Sequence, residues 1–182
     1  MRTCAYALIA VGWATWLLPF ILAHRNRGPA TRVDRRARWG MLIQAVAYSA
    51  LWQGKFWLRD IAWWQVFLSA LFFLIAGLFS WTAASALGKQ FRMEAALSSD
   101  HELVTSGPYK IVRHPVYSSM LCVLCGTGVI VTPASLMILS LCLFIIGTEI
   151  RVRVEERLLQ SRFGEQFTDY SRRVSAYAPG IR

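Results

Sequence analysis

The chain has 182 residues, is 55% apolar, and carries eight tryptophans and a net charge of +10. One domain is the default at this length, and so apolar a composition, with a positive mean hydropathy, excludes an ordinary soluble domain and fits a polytopic membrane protein. The basic excess marks topology and not a nucleic-acid surface: six arginines and one acid lie between Arg25 and Arg38, seven arginines follow Ile150, and the opposite side holds only Arg2, Lys55 and Arg59.

Thr3 to Ala23 is about one bilayer thickness of apolar helix, and it runs into HRNRGPATRVDRRAR, a stop-transfer pattern that predicts a retained span. The Asn26 to Thr31 stretch with its Gly-Pro breaks that helix. A second span is expected from Trp39 to Trp57, interrupted by Gln44, Gln53 and Gly54. The turn from Lys55 to Asp60 is flanked by Trp52, Trp57, Trp63 and Trp64, an aromatic belt at the far interface. A third span covers Ile61 to Leu87 and ends in the small residues Ala83, Ala84, Ser85 and Ala86, which allow close helix approach.

Gly88 to Arg113 reads as a cytoplasmic insert. Pro115 opens a fourth span to Val131, with proline suited to the first helical turn. Thr132-Pro133 makes a tight turn, and Ala134 to Ile150 returns as a fifth span, predicting an antiparallel helical hairpin. The helix continues through Glu149 to Ser161 in water, and Phe163-Gly164 ends it. The tail EQFTDYSRRVSAYAPGIR is amphipathic and suited to the membrane surface. The expectation is an all-α polytopic protein with about five transmembrane helices, a cytoplasmic cofactor-binding insert and a C-terminal cytoplasmic helix. Residues 1–87 form the membrane anchor and 88–182 the catalytic part, with the N-terminus outside and the active site facing the cytoplasm.

All four cysteines lie in apolar runs, so Cys122 and Cys125 read as helix-packing residues, and a protein-bound metal is not expected. Chemistry concentrates in HELVTSGPYKIVRHPVY, His101 to Tyr117. Tyr109, His114 and Tyr117 place polar tips on aromatic bodies at the membrane boundary, and Gly107-Pro108 turns the chain just before them. The N-terminus of the fourth span suits a carboxylate. Arg151 and Glu155 share a helix face four residues apart, with Arg153 and Glu156 on a neighbouring face. Such a set suits an amphipathic, zwitterionic cofactor. The plainer alternative makes the aromatics interfacial anchors, and Arg151–Glu155 and Glu149–Arg153 surface salt bridges.

That stretch, followed by RVRVEERLLQSRFGEQFTDYSRRV, closely resembles the isoprenylcysteine carboxyl methyltransferase family, membrane enzymes related to the phospholipid methyltransferases. The resemblance runs from Leu87 to Val174 and implies S-adenosylmethionine as cofactor. Carried over by position, it implies cofactor contacts at Glu94, His101, Leu103, Val104, Tyr109, His114, Pro115, Val116, Tyr117 and Glu155, with Glu156 next to them. It makes Arg151 the substrate-contacting arginine. It also implies methyl transfer to a lipophilic small-molecule or lipid-modified acceptor arriving from the membrane. A carboxylate acceptor is already ionised and needs only Arg151 to orient it; a phenol, thiol or amine would want a base, with Glu156 or His101 the candidate. Family members acting on prenylated proteins in eukaryotes usually have additional spans, so the resemblance carries the reaction class further than the acceptor.

Two other readings compete. Membrane sterol reductases carry a similar RHP-x-Y segment over NADPH, but commonly with Asn where this chain has Val116, and the Glu155-Glu156 pair suits a sulfonium amine better than an extra phosphate. A non-catalytic membrane scaffold is the third reading.

Overall fold

The computed structural model describes residues 1–25, 32–90, 96–97, 102–178 and 180. Glu94 and His101, two of the expected cofactor contacts, lie outside the described residues. Six α-helices are described: α1 Arg2–Arg25, α2 Ala37–Ala50, α3 Trp63–Leu87, α4 Pro115–Val131, α5 Ala134–Phe163 and α6 Glu165–Arg173. A two-residue antiparallel pairing joins β1, Arg32–Val33, to β2, Ala96–Leu97, an addition to the all-α expectation.

Three helices, α1, α3 and α5, are long and apolar enough to cross a membrane. The other two expected spans are shorter. α2 has 14 residues, and α4 has 17; at about 1.5 Å per residue they reach roughly 21 and 25 Å, under a hydrocarbon core of about 30 Å. α2 ends at Ala50, not near Trp57. Beyond it the chain turns through 51–54 into a short 3₁₀ turn at Phe56–Leu58, and the Thr132 hydroxyl donates to the Leu51 carbonyl at 2.9 Å.

The helices pack in two sets. α3 lies between α1 and α4, and α5 lies along α2. The expected α4–α5 hairpin is therefore a hairpin in connection only. After the turn at Thr132-Pro133 the two backbones part, each taking a different partner. Tyr48 of α2 bridges the sets: its hydroxyl donates to the Met120 carbonyl of α4 at 2.7 Å, and its ring meets Trp13 of α1 and Phe144 of α5 edge-on.

Polar side chains stitch these apolar faces, because a backbone or hydroxyl group without a partner is costly away from water. Pro19 inside α1 cannot donate to the Thr15 carbonyl, and the Trp81 indole of α3 donates to that carbonyl at 3.1 Å instead. Trp13 donates to Thr127 and Trp16 to Ser119, each at 3.0 Å. Gln65 caps the start of α3 by accepting from the Ala62 N–H at 2.9 Å, and its amide donates to the Val129 carbonyl at 2.8 Å.

α2 and α5 cross at two glycines. A Cβ on Gly147 would stand 2.7 Å from the Gly40 carbonyl, and one on Gly40 would stand 2.4 Å from the Gly147 carbonyl, so only glycines permit this approach.

The ends sort by charge. Arg2 pairs with Asp60 at 3.0 Å, and the Gly54 backbone faces the Pro133 ring, so the N-terminus and the α2–α3 and α4–α5 turns share one end. The opposite end collects the start of α2, the 3₁₀ turn at Gly107–Lys110, the start of α4 and the polar half of α5. Glycines with positive φ stop α3 at Gly88 and α5 at Gly164.

Candidate functional site

The residues converge where α4 begins. His114, with φ −126° and ψ 59°, is the last residue before the helix, and fully buried Pro115 starts it without an N–H to satisfy. Just upstream, Gly107 takes a φ of 60° and opens a 3₁₀ turn, Gly107–Lys110, that buries Pro108 and Tyr109. The Tyr109 carbonyl accepts from the Tyr170 hydroxyl at 2.7 Å, which ties this turn to α6. The amphipathic tail thus spends its apolar side on the protein and not on the membrane surface: Phe167 and Tyr170 are both buried.

Beyond α6 the chain doubles back along the start of α4. Arg113 N–H donates to the Ser175 carbonyl at 2.8 Å and His114 N–H to the Ala176 carbonyl at 3.0 Å, a short parallel bridge. The Ser118 hydroxyl donates to the Tyr177 carbonyl at 2.7 Å, and the Tyr177 hydroxyl reaches Glu149 at 2.6 Å. This strap was not foreseen from the sequence. Its signal was slight, a tyrosine among small residues before Pro179-Gly180.

Across from this edge stand four polar side chains of α5 and α2. Glu155 accepts a hydrogen bond from the Tyr117 hydroxyl, and its second oxygen lies 3.7 Å from His114 Nδ1. Glu156 accepts from Arg113 Nη2 at 2.8 Å and Nε at 3.1 Å, with His114 Nε2 at 3.2 Å. The imidazole therefore sits between two adjacent carboxylates. Arg151 lies with its guanidinium 5.0 Å from the centre of the Tyr117 ring, and its Nη1 donates to Gln44 Oε1 at 3.0 Å. Arg113 completes its set by donating from Nη1 to the carbonyls of Ser171, at 2.9 Å, and Val174.

The electrostatics separate the two acids. Burial pushes the Glu156 carboxyl up, but hydrogen bonds and charge from His114 and Arg113 outweigh it and hold it at about 2. Burial, with the Glu155 carboxylate nearby, pushes the Tyr109 phenol well above its usual range. Glu155 keeps 26% of its side chain exposed against 16% for Glu156, so it is the acid that a ligand can reach.

Of the expected site residues, His114, Pro115, Tyr117, Arg151, Glu155 and Glu156 come together here, with Tyr109 beside Glu155. Val116 turns into the apolar core, and Leu103 and Val104 lie half-buried in the segment leading to the 3₁₀ turn. Arg113, Gln44, Thr148 and Tyr177 are additions. Gln44 had a readable signal as a polar residue in an apolar run. Glu149 and Arg153 pair at 2.8 Å, as their spacing predicts. Among the described residues no group of three or more His, Cys, Asp or Glu could hold a metal ion.

The segment that carries this geometry is also the one that matches known proteins. Residues 68–161 match the profile of the Isoprenylcysteine carboxyl methyltransferase (ICMT) family. Protein-S-isoprenylcysteine O-methyltransferase B of Arabidopsis thaliana is 30% identical over 122 residues, covering 65% of this chain and 61% of that protein. The protein-S-isoprenylcysteine O-methyltransferase of Tribolium castaneum is 35% identical over 103 residues, covering 55% of this chain and 36% of that one. The cobalt-zinc-cadmium resistance protein CzcN of Cupriavidus metallidurans is 34% identical over 82 residues, covering 45% and 38%. The chain thus spans less than two thirds of the length of each of these relatives. With over half of its residues inside the profile, including Tyr109, His114, Tyr117, Arg151, Glu155 and Glu156, the chain belongs to the isoprenylcysteine carboxyl methyltransferase family.

Proposed function

We propose that this protein transfers a methyl group from S-adenosylmethionine to a lipophilic, carboxylate-bearing acceptor at the membrane–cytoplasm interface. The observation that carries the reading is the meeting of Tyr117 on α4 with Glu155 and Arg151 on α5, at the polar end of two helices whose apolar parts pack elsewhere. The reading keeps five spans, with α2 and α4 as short ones, and puts the arginine-rich end in the cytoplasm.

The residues fit the cofactor. It is a zwitterion bearing a sulfonium and an aromatic base. Glu155 offers a reachable carboxylate for its ammonium, Tyr109 and Tyr117 lie at the same edge, and the start of α4 presents a positive dipole end. The remaining assigned contacts, Glu94, His101, Leu103, Val104, His114, Pro115 and Val116, extend the same reading. When bound, the cofactor supplies an electrophilic methyl on sulfur; the protein positions it and keeps water out.

Arg151 orients the acceptor. A guanidinium matches a carboxylate in a two-pronged contact. The acidity of Glu156 favours such an acceptor, since a carboxyl held at about 2 is a poor proton acceptor at neutral pH, whereas a carboxylate needs no base. Glu156 then serves by holding Arg113 and His114 in place.

Calorimetric titration of the detergent-purified protein with S-adenosylhomocysteine, with NADPH as control, tests the assignment. Binding at about micromolar Kd is expected. It should be lost in Glu155→Ala and in Tyr117→Ala while both variants stay folded. Arg151→Ala should retain binding and lose transfer to a farnesylated cysteine. Binding of NADPH alone would move the protein to the reductases, and no binding of either would leave a scaffold.

A further inference from the structure

Gln44 lies on α2, outside the family match, and is 2% exposed. A primary amide buried this deeply is costly unless both of its arms are used. Both are. Oε1 accepts from Arg151 Nη1 at 3.0 Å, and Nε2 donates to Thr148 Oγ1 at 2.7 Å. A guanidinium only donates, so the amide oxygen has to face Arg151, which settles the orientation of the amide. Thr148 stands three residues before Arg151 on the same face of α5, so Gln44 grips that face at two points.

The arginine stem is shaped by the same helix. A Cβ on Gly40, one turn before Gln44, would lie 2.6 Å from Arg151 Cγ; glycine leaves the slot that the stem fills. The Tyr117 ring meets the guanidinium on another side. Each of these three groups is uncharged. An amide fixes the direction of a guanidinium without cancelling its charge, whereas a carboxylate at position 44 would do both.

We propose that Gln44 is a positioning residue that aims Arg151 at an anionic acceptor and thereby sets the preference of the site for a carboxylate. The proposal rests on the function given above. It makes α2 part of the substrate-selecting machinery and not only of the membrane anchor.

The test is binding to the purified protein without methyl donor. S-farnesylcysteine and its carboxamide are titrated separately, with S-adenosylhomocysteine titrated in parallel. The parent protein should bind the carboxylate more tightly than the carboxamide. Gln44→Leu, which keeps volume and removes both hydrogen bonds, should cut that preference about tenfold, the worth of one hydrogen bond to a charged group. Gln44→Glu, near-identical in shape, should abolish the preference by neutralising Arg151. Thr148→Val removes only the outer anchor of the amide and should lower the preference by a smaller factor. S-adenosylhomocysteine affinity should stay within about twofold in all three, since even Arg151→Ala is expected to retain it and Tyr117 and Glu155 are unaltered. A merely structural Gln44 would weaken both farnesyl ligands alike and leave their ratio unchanged. An unchanged ratio in folded Gln44→Leu, or in Thr148→Val should the first variant fail to fold, overturns the proposal. Should the parent bind S-adenosylhomocysteine yet show no preference for the carboxylate, this proposal alone falls. Should it bind no S-adenosylhomocysteine, the functional reading falls and takes this one with it.

Discussion

Successive carboxylates on α5 face different partners, Glu155 the Tyr117 hydroxyl and Glu156 the Arg113 guanidinium and His114 ring. The family resemblance placed Glu155 before Glu156, but the residues themselves name no partner for either, because adjacent helical residues lie on different faces and only the opposing element decides which face meets what. Arg113 is the residue on which the strap depends, since it joins α5, the end of α6 and the residue after it. Arg113→Ala removes the guanidinium from the Glu156 carboxylate and leaves it His114, at a cost of about 1–3 kcal/mol. Hydrogen exchange at the Arg113 and His114 amides, which donate to the strap, should then rise sharply. Acid should do the same. The Glu156 carboxyl sits at about 2 in the folded protein against an ordinary 4.5, so its contribution is complete above pH 4.5 and is lost as pH falls towards 2. Strap protection that stays flat across that window would show that Glu156 does not hold it.

At the scale of elements, the decisive contact is the crossing of α2 on α5. Gly40 and Gly147 let the helices approach until each backbone carbonyl faces the other glycine, and this closeness brings Gln44 onto Arg151. Gly147→Ala inserts a methyl 2.7 Å from the Gly40 carbonyl. The helices must then separate, and a loss of about 1–3 kcal/mol is expected for such overpacking, measurable by unfolding in mixed micelles. Stability at the parent level would mean that the crossing relaxes freely. The helix starts and stops were largely legible, since proline opens α4 and glycines end α3 and α5. The partner of each helix was not. A tight turn between α4 and α5 suggests that they pack together, yet α4 lies along α3 and α5 along α2, because face complementarity and not connection length selects the neighbour.

For the whole molecule, the described arginines at the start of α2 and those of the polar half of α5 lie at one end, where Ala37 packs on Val154 and Leu158, and the Arg2–Asp60 pair and the tryptophan-flanked turn lie at the other. A bilayer would therefore place the proposed active site on the side of the basic residues. A cysteine introduced at Lys55 should react with an impermeant reagent added outside intact cells, whereas one at Arg157 should react only after permeabilisation. The reverse pattern would invert the protein and remove the cytoplasmic site.

The sequence by itself determined the kind of molecule and the family, because hydropathy, charge bias and a motif with fixed spacing are local properties of the chain. It also named most residues that meet at the start of α4, since Tyr109, His114 and Tyr117 lie within one short stretch. Only the tertiary structure decided which acid is accessible, that the tail folds back as a strap, and that Gln44 stands against Arg151 from 107 positions away. Those contacts depend on how two sets of helices dock, and periodicity within one helix carries no record of the face it will meet.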